Sequence, residues 1–109
     1  MREGASAEFE LVDLGGGRIQ VRGALTFATA RQARIAGTKL LGGASGPAIE
    51  IDCGAVSSSD SAGLAVLLDW LVIAHRQGQA LSLTNLPEPI RAVAEISDVE
   101  PILNQGLTG

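Results

Sequence analysis

A chain of 109 residues with a net charge of −4 has room for one domain and little else. It is 46% hydrophobic but only 3% aromatic, so its core is to be built from Leu, Ile, Val and Ala. The acidity, with no run of basic residues, argues against nucleic acid or an anionic membrane surface as a direct partner.

No apolar run reaches the roughly 18 residues of a membrane-spanning helix. The start, MREGASAEFE, lacks the apolar centre of a signal peptide. A cytoplasmic protein without direct membrane insertion is therefore expected. Cys53, the one cysteine, leaves no intrachain disulfide and no cysteine-based zinc site, and it is expected to be a small buried apolar residue.

In chain order, Phe9 to Leu14 alternates as a short strand and Gly15–Gly16–Gly17 reads as a turn. Arg18 to Leu25, with Ile19 and Val21 on one face, completes a hairpin. Phe27 to Leu41 reads as a helix capped by Thr26 and ended by Gly42–Gly43, although Gly37 sits inside it. After a loop at Ala44–Pro47, Ala48 to Val56 is a strand. Ser61 to Gln77 is the clearest helix, stopped by Gly78. Ala80 to Leu86 is a further strand, and Pro87 to Ser97 a helix with Ile90, Val93 and Ala94 at core spacing. The tail from Asp98 is expected to tuck Ile102 and Leu103 against the body. The order β-β-α-β-α-β-α predicts an α/β fold: a four-stranded mixed sheet with about three helices packed on it.

The segment SSSDSAGLAVLLDW, Ser57 to Trp70, carries the most information. It runs from a strand through a polar loop into a helix and puts the Ser61 hydroxyl at the helix start. Unpaired backbone N–H groups and the helix dipole favour an anion there. Ser61 is then a phosphoacceptor or a hydroxyl read by a partner, with Ser59 and Ser58 as alternates; the plainer reading is a helix cap. Gly63 in the first turn costs roughly 0.5–1 kcal/mol against alanine and signals close approach by another backbone or by a partner at Ala62–Gly63. Asp60 and Asp52 are the supporting carboxylates, expected near that hydroxyl; capping and strand-end solvation are their ordinary roles.

At 100° per residue, Leu64, Leu67, Leu68 and Leu71 form the core stripe of this helix. Val66, Trp70 and Ile73 form a second apolar stripe nearly opposite. An outward tryptophan there is expected to be a partner interface; the alternative is that another part of the chain covers it. His75, the single histidine, suits the C-terminal end of the helix dipole. There is no phosphate-loop motif and no second histidine or cysteine for a triad, so no catalytic, metal or cofactor site is expected.

The stretch IDCGAVSSSDSAGL before the long helix resembles the phosphorylation-site loop of STAS domains, and the match extends over about residues 9–103 of a single domain spanning 1–109. The resemblance implies the STAS fold, with Ser61 in the position of the phosphorylated serine, Asp60 before it and Asp52 as the strand-end aspartate. GALTFAT, LAVLLDW and NLPEPIRAVAEISDVEPIL are similar to the STAS subunits of Mla phospholipid ABC transporters. That likeness implies a non-catalytic accessory subunit that binds the transporter's ATPase, peripheral at the inner membrane through this partner. The alternative it leaves is an anti-sigma-factor antagonist that is phosphorylated by an anti-sigma kinase. The long SSS run before Asp60 departs from the family pattern and leaves the acceptor open.

Overall fold

Alternation of apolar and polar residues is realised strand by strand in the computed structural model, which describes residues 9–43, 48–97 and 101–102. Strands β1 (Phe9–Gly15) and β2 (Arg18–Leu25) pair antiparallel. Their two-residue loop, Gly16–Gly17, has φ of 63° and 82°, the left-handed backbone that a tight hairpin needs and glycine adopts freely. Helix α1 (Ala30–Gly43) leads to β3 (Ala48–Ser59), which lies parallel to β2. Helix α2 (Ser61–Arg76) leads to β4 (Ala80–Thr84), parallel to β3, and helix α3 (Glu88–Ile96) follows. The sheet order is β1-β2-β3-β4, so the expected mixed four-stranded sheet and its element order are both present.

One face of the sheet is buried. Ile19 and Val21 of β2, Ile49, Ile51 and Cys53 of β3, and Leu81 and Leu83 of β4 all join one core with the helices. The alternate residues, among them Arg22, Glu50, Asp52, Ser82 and Thr84, remain half-buried or exposed. Period-two alternation is what a sheet covered on a single face requires.

Of the boundaries that differ from the sequence reading, three bear on the site. Helix α1 begins at Ala30, not Phe27, because Thr29 rather than Thr26 organises its start. The buried Thr29 hydroxyl accepts from the Thr26 N–H (3.0 Å) and donates to the Ala24 carbonyl (2.9 Å), while its backbone carbonyl accepts the first helical bond from Ala33. Strand β3 runs on to Ser59, because β2 is long enough to pair Ala24 with Ser58 and Leu25 with Ser59. Strand β4 stops at Thr84, where Asn85 turns to φ 55°. The Ala44–Pro47 loop and Leu103 lie outside the described residues; Ile102 packs against the core as expected.

The second stripe of α2 is not a free surface. Trp70 is 0% exposed, Val66 is buried with it, and Ile73 is half-buried. The cover comes from α1, whose buried line Ala33, Gly37, Leu41 runs along one face at a four-residue step. At Gly37 there is no space for a Cβ: it would lie 2.7 Å from Cδ1 of the Trp70 indole and closer still to Nε1. The smallest residue of α1 thus sits against the largest of α2. Helix α2 is apolar on two sides because it is buried on two sides.

Candidate functional site: the β3–α2 junction

Asp60 organises this junction. Its backbone is extended (φ −151°, ψ −170°) and its side chain caps α2. Oδ1 accepts from the N–H groups of Ala62 (2.9 Å) and Gly63 (3.2 Å). Oδ2 accepts from the N–H of Phe27 (3.1 Å), in the turn between β2 and α1. One carboxylate therefore ties the first turn of α2 to the preceding β–α connection.

Because Asp60 is the cap, Ser61 is not. Ser61 is the first helical residue and is exposed to solvent, beside the N-terminal end of a 16-residue helix. Gly63 is buried, and a Cβ there would be driven into the carbonyl oxygen of Leu25 and lie 3.1 Å from its carbon. The close approach foreseen from that glycine is thus to the end of β2 within the same chain. Ser58 and Ser59 are the last strand residues, paired in the ladder rather than looped out beside Ser61.

Asp52 does not join this site. It sits mid-strand on the open face of β3, with roughly 20–25 Å of extended chain between it and Asp60. Its Oδ1 accepts from the Asn85 side-chain amide (3.0 Å) and from the Gly54 N–H (2.8 Å), and Arg18 approaches Oδ2 at 3.6 Å. The Asn85 bond above all, then the Gly54 bond, hold its carboxyl below the ordinary value of 3.8. Behind it, burial and the Asp52 charge push the Cys53 thiol up to about 12.

The exposed aromatic is Phe27, not Trp70. Phe27 is 83% exposed, although its own N–H is held by Asp60. Next to it a shallow groove of about 420 Å³ runs between α1 and α2, floored by Ala30, Ala62 and Ala65 and crossed by an Arg34–Asp69 ion pair at 3.5 Å. Sequence reasoning missed Phe27 by placing it inside a helix. Thr26 and Thr29 are alike as helix starters by residue type, so no local signal separates them; the choice lies in the bonds that the Thr29 hydroxyl makes back to Thr26 and Ala24. Taken together, the junction offers a hydroxyl at a helix start, an exposed ring and a shallow apolar groove, a geometry suited to recognition. Among the described residues no three His, Cys, Asp or Glu side chains gather where they could hold a metal ion.

A family profile described as "Mlab, STAS domain" matches residues 12–104. The chain belongs to the STAS domain family. Among solved structures, this STAS domain is similar to the anti-sigma factor antagonist SpoIIAA in its unphosphorylated form, with a TM-score of 0.67 and 20% identity over 85% of this chain and 83% of that one. It is also similar to a sulfate transporter family protein from Wolinella succinogenes, with a TM-score of 0.62 and 15% identity over 87% of this chain and 76% of that one. At such identities the likeness is one of fold: the four-stranded mixed sheet with three helices is the STAS fold. No curated protein matches the chain. STAS domains bind protein partners, and among the described residues of this one no helix is long and apolar enough to cross a membrane.

Proposed function

We propose that this STAS domain is a non-catalytic accessory subunit that binds and regulates the ATPase of a Mla-type phospholipid ABC transporter, the class of system that maintains outer-membrane lipid asymmetry. It works in the cytoplasm and reaches the inner membrane only through that partner. The description of the matching family supports this reading. The observation that carries it is the division of labour at the junction: Asp60 does the capping, which leaves Ser61 exposed beside Phe27. A hydroxyl with no structural duty at a helix start is free to be read by a partner.

The test is co-purification with the chain's candidate ABC ATPases, followed by titration of the complex with Ser61→Ala and Phe27→Ala. Truncating a central aromatic contact typically costs at least about 2 kcal/mol of binding, so Phe27→Ala should raise Kd by a factor of roughly 30. Absence of any ATPase complex with the wild-type chain sinks the proposal.

A second reading, a phosphoswitch antagonist of an anti-sigma kinase, draws on the same exposed Ser61. A phosphate there would add about −1.5 to −2 charges at the docking edge. Intact-mass measurement after incubation with candidate kinases decides it, since no added phosphate removes this reading.

A further inference from the structure

We propose that the outward face of α1 is a second docking surface, built to receive an acidic amphipathic helix of a protein partner. The chain as a whole carries −4, yet α1 bears Arg31, Arg34 and Lys39 and no acidic residue. Arg34 is engaged by Asp69 across the α1–α2 groove. Arg31 and Lys39 have no carboxylate partner among the described residues.

These two cations stand eight residues apart, which is about 12 Å along a helix, and Ile35 lies midway between them, four residues from each. Ile35 is 60% exposed and Phe27 83% exposed. Together with Thr38, Ala30 and the Arg34–Asp69 pair, whose opposite charges offset each other, they line an open concavity of about 730 Å³ along α1. Phe27 is the one aromatic side chain of this chain left in solvent: Phe9 and Trp70, the other two aromatic residues, are core.

Charge complementarity selects the occupant. Two cations two turns apart with an apolar position between them match a helix that carries carboxylates two turns apart and a leucine or phenylalanine midway. Such a helix buries its apolar residue against Ile35 and Phe27 and pairs its carboxylates with Arg31 and Lys39. An anionic bilayer meets the same cations, but the net charge of −4 opposes approach to such a surface. This surface shares Phe27 with the Ser61 edge and adds Arg31, Ile35 and Lys39 of α1, and it does not depend on the identity of the partner proposed above.

The test uses the full chain, isotopically labelled, and a synthetic 21-residue helical peptide with Glu two turns apart flanking Leu and Phe. A control peptide has Lys in place of each Glu, and vesicles of phosphatidylglycerol and phosphatidylcholine supply the membrane arm. The acidic peptide is expected to bind at least tenfold more tightly than the basic one and to shift the amide signals of Phe27, Arg31, Ile35 and Lys39. The double variant R31E/K39E, whose sites are exposed and whose melting should match wild type, is expected to reverse that preference. Ile35→Ala is expected to weaken the acidic peptide severalfold without reversing the preference. Equal affinity for the two peptides, shifts that map elsewhere, unchanged preference in R31E/K39E, or tighter binding to the vesicles than to the acidic peptide overturns the proposal.

Discussion

Gly37→Ala tests the helix–helix contact that removed Trp70 from the surface. In a free helix this change is favourable by up to about 1 kcal/mol, because alanine is the better helix former. Here the new Cβ would meet the Trp70 indole at 2.7 Å from Cδ1, well inside van der Waals contact. The indole has nowhere to retreat: Trp70 is 0% exposed and α2 is packed on both sides. Overpacking of a filled core costs typically 1–3 kcal/mol, so the clash outweighs the propensity gain and a net loss of about 1–2 kcal/mol is expected. For a domain of this size that is a fall in Tm of roughly 5–10 °C. Chemical denaturation followed by far-UV circular dichroism reads the result in every variant, including those that replace Trp70, the only tryptophan. The double variant Gly37→Ala/Trp70→Phe should recover part of the loss, because the smaller ring also removes an indole N–H that is buried without a hydrogen bond. If Gly37→Ala is neutral or stabilising, and its effect adds simply to that of Trp70→Phe, the packing described for α1 and α2 is wrong.

Trp70→Ala should cost about 3–5 kcal/mol of folding stability by equilibrium unfolding, the range for deleting a buried aromatic; a loss within 1 kcal/mol would return the residue to the surface. Asp60→Ala removes three hydrogen bonds that join α2 to the β2–α1 turn and should lower stability by about 1–2 kcal/mol, whereas the exposed Ser61→Ala should stay within about 0.5 kcal/mol; equal losses would contradict the capping assignment. Cys53, with its thiol at about 12, should resist thiol reagents at pH 8 until the chain unfolds, so fast labelling of the native protein would refute its burial. Asp52 is held below 3.8 in the folded state, so its contribution is present above that pH and lost as pH falls below it; Asn85→Ala should flatten this part of the acid-unfolding curve, and an unchanged curve would show that the bond contributes nothing.

Much of this architecture was legible in the sequence because it rests on local rules. Alternation at Ile19 and Val21, or at Leu81 and Leu83, reports one buried face whatever lies on it. Three consecutive glycines can be little but a tight turn, and the start of α2 is marked by Asp60 as cap and by Gly63 as a point of contact. The pattern around Ser61 also carried the family. The tertiary structure decided everything that depends on what an element packs against. Val66 and Trp70 read as a stripe in any helical projection, but their burial rests on Ala33 and Gly37, some 30 residues away in sequence, being small enough to let α1 close over them. The end of β3 was set by the length of its neighbour β2, which drew Ser58 and Ser59 into the ladder and carried Asp52 far from Asp60. Phe27 was left in solvent for the same kind of reason: Thr29 found buried partners and began the helix three residues late, and no periodicity in a single chain records which of two threonines will do so.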